Sequence, residues 1–212
     1  MTPIYDVAEI FRSICGEGGL VGQRAVFVRL AGCNLHCRVE NVGFDCDTVI
    51  PRSSPMSADC IIHHVETVGK GCESVVITGG EPMMQLSKDD DDALLRMLHA
   101  KGFSLTLETN GTYEIPDDMR GYFRRVNCSP KLGSDIKLTH ADEVRMVVGD
   151  MTDIDAYVAW VDSIMTYGGL WLSPAWDANG PNRDAIGYII AWILINGRVT
   201  MTVQQHKLWG LR

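Results

Sequence analysis

The chain has 212 residues, 46% of them hydrophobic and 22% charged, with a formal net charge of −8. That length supports one sizeable core, and no linker interrupts it, so one α/β domain over residues 1–212 is expected. An acidic chain without a basic run excludes nucleic acid as a partner, because phosphate contacts need clustered Lys and Arg.

The N-terminal stretch MTPIYDVAEIFRS carries acids and has no positive n-region or apolar h-region, so it does not read as a signal peptide. Residues 24–32 (RAVFVRLAG) are β-branched and aromatic, the pattern of a buried strand. Residues 58–69 have apolar positions at helical spacing. Residues 73–82 (ESVVITGGEP) form a predicted strand ending in a Gly-Gly turn. Residues 88–102 (KDDDDALLRMLHAKG) predict a helix with its acids solvated in the first turn and Gly102 placed to stop it. Residues 103–111 predict a strand ending in Asn-Gly, and FRRVNCSPK and ADEVRMVVGD supply two more short apolar runs. Residues 152–165 are helical in pattern, and 168–174 strand-like. The longest apolar run, AIGYIIAWILI (185–195), is far below the roughly 20 residues that cross a bilayer. It reads as a buried helix, and no membrane partner is expected. Residues 197–207 alternate as a strand would.

Repeated alternation of strand and helix means parallel strands with crossover helices, arranged as an open doubly wound sheet or as a barrel or partial barrel. In both, ligands bind at the carboxyl ends of the strands. The polar motifs fall at those ends: Cys33 after the first strand, TGGEP after the second, ETNG after the third, SPK after the fourth and SPAWD near the sixth.

Seven cysteines without a secretion signal argue for a reducing, cytoplasmic setting and against a disulfide framework. Cys33, Cys37 and Cys46 lie within the polar loop CNLHCRVENVGFDC, while Cys15, Cys60, Cys72 and Cys128 fit no ligand spacing and read as structural. Three readings of the triplet stand side by side. It could be three unrelated core thiols, although the loop is polar. It could be a zinc site taking its fourth ligand from His36, His63 or His64. Or it could be a [4Fe–4S] cluster with one iron left open for a substrate or cofactor.

The sequence AGCNLHC…CDT after a strand, with TGGEP some thirty residues on, resembles the radical S-adenosylmethionine superfamily. EIFRSICGEGGLVGQRAVFVRLAGCNLHC, CDT, ITGGEP, LETNGT, CSPK and the closing VQQHKLWGLR together resemble the family of 7-carboxy-7-deazaguanine synthases, from about residue 9 to the C-terminus. The resemblance implies a partial (β/α) barrel of the radical S-adenosylmethionine type. It implies that Cys33, Cys37 and Cys46 hold three irons of a [4Fe–4S] cluster, the fourth being left for S-adenosylmethionine. RVENVGF then reads as an insertion before the third cysteine, and Asp45 stands where the family commonly has an aromatic residue.

Carried over residue by residue, the cofactor would meet Asp45, Asp47, Gly80, Glu81, Glu108, Asn110, Ser129, Lys131, Ser173, Pro174, Ala175 and Trp176. Gly79 to Glu81 would face the amino group of its methionine moiety. The family often has Gln-Pro where this chain has Ser173-Pro174. Thr48 would bind Mg²⁺, a hard cation that takes oxygen ligands and keeps waters. The implied substrate is a reduced carboxypterin, 6-carboxy-5,6,7,8-tetrahydropterin, contacting Ile14, Cys15, Gly16, Arg29, Thr78, His206 and Arg212. Gln is common in the family at the position of Cys15. Arg29 is charged within an apolar strand and needs a partner; as a bidentate donor it suits a carboxylate, the alternative being a structural ion pair. The family further implies an electron donor such as flavodoxin or ferredoxin, and a homodimer. The expected reaction is a radical ring contraction to 7-carboxy-7-deazaguanine with loss of ammonia. A cluster-bearing electron relay and an activase acting on a protein glycine are the competing functions.

Overall fold

The computed structural model describes residues 3–48, 52–89, 92–150 and 152–211. The strands are β1 (Ile4–Ile14), β2 (Arg24–Leu30), β3 (Ser54–Ser57), β4 (Ser74–Gly79), β5 (Ser104–Thr109), β6 (Phe123–Cys128) and β7 (His140–Ala141). They continue as β8 (Glu143–Val148), β9 (Thr166–Tyr167), β10 (Leu170–Pro174), β11 (Trp176–Asp177), β12 (Gly180–Pro181) and β13 (Thr200–Met201). The helices are α1 (Val39–Val42), α2 (Ala58–Gly69), α3 (Met83–Leu86), α4 (Ala93–Ala100), α5 (Asp117–Arg120), α6 (Ile154–Ile164), α7 (Arg183–Asn196) and α8 (Gln205–Leu208). Three of the longer helices start on a side-chain cap: Ser57, Asp153 and Asn182 accept from the backbone N–H three residues on. Each such cap stabilises its helix by about 1 kcal/mol.

The main sheet has nine strands in the order β13-β10-β8-β6-β5-β4-β2-β1-β3. From β2 to β13 every neighbouring pair is parallel, and β1 is antiparallel to both β2 and β3. The parallel strands follow chain order without reversal, so there is no switch point of the doubly wound kind. Right-handed crossovers that always advance in one direction leave their helices on one side of the sheet. Apolar residues of α2, α4, α6 and α7 accordingly join one core with Val28, Ile77, Leu107, Val126, Met146 and Leu172 of the strands. The sheet is a partial barrel, and its other face is left to the ligand site.

Several expectations need correction. Helix α4 starts at Ala93, with no acid in its first turn. The acids upstream are not a solvated helix start: Asp89 is buried and accepts the Tyr5 hydroxyl, and Asp92 sits in the left-handed region (φ 47°). Asp90 and Asp91 lie outside the described residues. Helix α7 is not a buried helix. Only Ala185, Ile189 and Trp192 are buried, one stripe at helical spacing, while Leu194 and Ile195 are 81% and 85% exposed. An apolar run alone does not tell a core helix from an outer-layer helix that buries one stripe. Residues 197–207 are not one strand: β13 spans two residues and α8 follows. Cys72 and Cys128 are buried, but Cys60 is exposed on α2. Among the described residues, no helix is long and apolar enough to cross a membrane.

Candidate active site

Strand alternation puts successive side chains on opposite faces, and here it separates core from chemistry. In β4, β5 and β8 the residues Ile77, Leu107, Val144, Met146 and Val148 enter the helix-side core. The intervening Thr78, Glu108, Arg145 and Val147 line cavities on the other face. One cavity, of about 890 Å³, lies at the carboxyl ends of the parallel strands. Its wall takes residues from the ends of β2, β4, β5, β6, β8 and β10: Gly32, Gly80, Asn110, Ser129, Val147 and Pro174. A second, of about 480 Å³, lies beside it and shares Glu17, Asp47, Thr48, Thr78, Gly79, Glu108, Arg145 and Gln204 with it.

Cys33, Cys37 and Cys46 all line the larger cavity. The loop is braced where the Cys46 N–H donates to the Cys37 carbonyl (3.3 Å) and the Leu35 N–H approaches Cys33 Sγ (3.4 Å). Burial pushes the Cys33 and Cys37 thiols up, and neighbouring thiol charges add to this; Lys131 pulls both the other way. Lys131 is anchored on Ser129, donating to its carbonyl (2.6 Å) and its hydroxyl (2.8 Å).

Among the described residues, no three His, Cys, Asp or Glu side chains converge on one metal ion. A zinc site requires ligands meeting within about 2.0–2.3 Å of a single ion. His63 and His64 are no help, since they ride on α2 and His64 Nδ1 lies 2.8 Å from the Cys60 carbonyl. Cluster thiolates each take a different iron, so their sulfurs surround a volume and do not meet at a point. Three thiols around one cavity, with the Lys131 ammonium acting on Cys33 and Cys37, fit the cluster.

TGGEP combines two roles. A Cβ on Gly79 would sit 2.2 Å from the Leu30 carbonyl, and one on Gly80 would sit 2.3 Å from the Gly32 carbonyl and 2.7 Å from Cys33 Cβ. Only glycine lets β4 pass this close to the cysteine loop. Glu81, expected against the cofactor's amino group, is fully buried and does not line the cavity. Its carboxylate accepts from the N–H groups of Met83 (3.0 Å) and Asn110 (2.6 Å) and from the Thr109 hydroxyl (2.8 Å). As it stands, Glu81 ties the end of β4 to the end of β5. Asn110 reaches Asn34 of the cysteine loop (3.0 Å). Pro174, Ala175 and Trp176 line the cavity with Asp45, but Ser173 is buried outside the lining.

The smaller cavity gathers Ile14, Cys15, Gly16, Arg29, Thr78, His206 and Thr48 from five separated stretches of chain. Arg212 lies outside the described residues. Arg29 Nε pairs with Glu9 Oε1 at 2.9 Å, and its Nη1 approaches the Gly79 carbonyl at 3.4 Å. Phe11 and Phe27 stack in the wall, ring centroids 5.2 Å apart. Burial pushes the Cys15 thiol up to about 11 and holds His206 below its ordinary range, so the imidazole is neutral near pH 7.

Sequence reading missed Arg145. It is 8% exposed and paired with Glu108, Glu17 (3.2 Å) and Glu143 (3.3 Å). The signal was available: Glu143 and Arg145 are charges at alternating positions within an apolar strand, the same anomaly that marked Arg29. Also missed were Glu17, in a loop without periodicity, and Lys207, at the end of a segment expected to be a strand.

The curled parallel sheet and its cysteine-lined mouth define a radical S-adenosylmethionine protein, and the profile of the Radical SAM superfamily matches residues 28–168. Membership implies a [4Fe–4S] cluster and S-adenosylmethionine. A Caulobacter vibrioides protein named 7-carboxy-7-deazaguanine synthase is 32% identical, over 98% of this chain and 99% of its own. One of the same name from Bacteroides thetaiotaomicron is 39% identical, over 97% and 98%. The crystal structure of QueE from Escherichia coli superposes with a TM-score of 0.70 at 24% identity, covering 95% of this chain and 94% of that one, a likeness of fold. The chain belongs to the family of 7-carboxy-7-deazaguanine synthases within that superfamily.

Proposed function

We propose that the chain converts 6-carboxy-5,6,7,8-tetrahydropterin to 7-carboxy-7-deazaguanine with loss of ammonia, a step of 7-deazapurine biosynthesis. One observation carries the reading: Ile14, Cys15, Gly16, Arg29, Thr78 and His206, expected to touch the pterin, line one cavity, and that cavity shares a wall with the one holding the three cysteines. The names of full-length relatives support it.

Cys33, Cys37 and Cys46 hold the cluster, and the larger cavity holds S-adenosylmethionine against it. When bound, the two supply a one-electron cleavage that starts hydrogen abstraction from the substrate. The chain's own residues orient and shield. Arg29 turns its guanidinium edge toward the substrate carboxylate while Glu9 fixes Nε. Phe11, Phe27, Leu20 and Leu211 give the smaller cavity its apolar wall and keep water from the reacting centre. Neutral His206 offers one donor and one acceptor to the ring edge. Thr48, on the shared wall beside Asp47, supplies an oxygen for Mg²⁺. Substrate and product differ by one NH₃, so the overall conversion needs no net oxidant. A flavodoxin or ferredoxin would deliver the priming electron, and two copies of the chain would pair through the exposed face of α7.

The test is anaerobic turnover of the carboxypterin by the iron-loaded, reduced protein, with product identified by mass. Cys33→Ala should abolish both turnover and the brown colour, while Cys60→Ala should keep both. A wild-type protein that cleaves S-adenosylmethionine yet leaves the carboxypterin intact overturns the substrate, and equal bleaching by Cys60→Ala overturns the ligand set.

A further inference from the structure

The C-terminal strap, residues 203–211, touches both halves of the site. The Gln205 N–H donates to the Gly16 carbonyl (2.9 Å), and a Cβ on Gly16 would lie 2.3 Å from His206 Nδ1. The strap is therefore pressed against the turn that lines the smaller cavity. From the same four-residue stretch, Lys207 Nζ (2.6 Å) and Gln204 Nε2 (2.9 Å) both donate to Asp47 Oδ2. Asp47 directly follows Cys46. Lys207 Nζ also lies 5.3 Å from the centre of the Trp176 ring, on the wall of the larger cavity. One ammonium thus joins the cysteine loop, the cofactor wall and the segment carrying His206.

An exposed ion pair by itself contributes little. This one is half-sheltered, with side chains 26% and 31% exposed, and its carboxylate has a second donor. Its effect lies less in stability than in linkage. The position of Asp47 depends on the loop that carries Cys46, and the strap depends on Asp47. Whatever orders the loop therefore orders the strap, and by thermodynamic necessity the reverse holds.

We propose that Lys207 is a positioning residue that latches the strap to the cysteine loop through Asp47, so that loading the loop with its cluster closes His206 and Leu211 onto the substrate cavity. This rests on the reading of the three cysteines as cluster ligands. Without the cluster the loop is free to move, the latch is loose, and the substrate wall is incomplete. The chain would then bind its substrate well only when the cluster is in place, and bound substrate would slow loss of the cluster.

Hydrogen exchange of residues 203–211 tests this, measured anaerobically on iron-loaded and iron-free full-length protein. In the wild type, loading should slow exchange of the strap by about fivefold, the low end of ordinary coupling between sites. Lys207→Met should bind iron to the wild-type level but exchange alike in both states. Lys207→Arg, which keeps the charge and the ring contact, should retain most of the difference. Should Lys207→Met fold poorly, Asp47→Asn cuts the same latch from the other side and should give the same loss of difference. Strap exchange that ignores cluster loading in the wild type, or a difference that survives Lys207→Met, overturns the proposal. A wild-type protein that takes up no iron overturns the cluster reading as well.

Discussion

At the scale of single residues, the chemistry turns on charges held inside a sheet. Arg29 is paired with Glu9, yet it stays on the cavity wall, so the ion pair and the substrate role are compatible. Arg29→Ala should weaken carboxypterin binding by about 2–5 kcal/mol, the range for truncating one partner of a desolvated pair. Arg29→Lys should recover little, because an ammonium does not reproduce a bidentate fork. Iron content should be unchanged in both variants. Wild-type turnover by Arg29→Ala at subsaturating substrate would falsify the carboxylate role, and a loss of iron would place the residue in the fold instead. Arg29 was legible because a charge in an apolar strand demands a partner. Arg145 obeys the same rule and has Glu143 two residues away, but its other partners, Glu17 and Glu108, lie 128 and 37 residues away in sequence, so the local pattern revealed only part of its network.

At the scale of elements, the decisive contact is β4 against the cysteine loop. A side chain at Gly80 would collide with backbone and with Cys33 Cβ, neither of which is a flexible tip that could swing away. Gly80→Ala should therefore cost about 1–3 kcal/mol, as overpacking does, and should lower the iron bound per chain by displacing Cys33. Gly187→Ala in α7 meets nothing within 4 Å and serves as the control. It should raise stability by about 0.5–1 kcal/mol, the helix-propensity difference. Thermal melts and iron assays on the two variants check this, and a Gly80→Ala protein with wild-type melting and iron would sink it. The strand ends carrying the motifs were visible in the sequence, since β-branched runs broken by Gly and Asn are local signals. The start of α4 was not, because a run of acids looks like a solvated first turn until Asp89 is seen accepting from Tyr5 across the fold.

At the scale of the whole molecule, the exposed side of α7 is an apolar surface, and it is the proposed contact between two copies of the chain. Tyr188, Ile190, Leu194 and Ile195 are exposed along it. Burying such a row against a second copy releases roughly 25 cal/mol per Å² of apolar surface. Sedimentation should give a dimer at micromolar concentration, and Leu194→Glu should shift it toward monomer by placing a charge at the centre of the contact. A wild-type monomer at that concentration would rule the interface out.

By itself the sequence determined the family and the strand ends at which its polar motifs fall. Periodicity and turn residues act between near neighbours, and the cysteine spacing with TGGEP and SPK belongs to single loops. The pattern of elements left a doubly wound sheet and a partial barrel open, because both share the same alternation and differ only in strand order. The tertiary structure shows the order of the partial barrel that the family resemblance implied. It also decided that Glu81 is a brace between strands, that the two cavities share a wall, and that Lys207 reaches Asp47 across 160 residues of chain. Such contacts depend on how distant segments pack, and no local pattern in the chain encodes them.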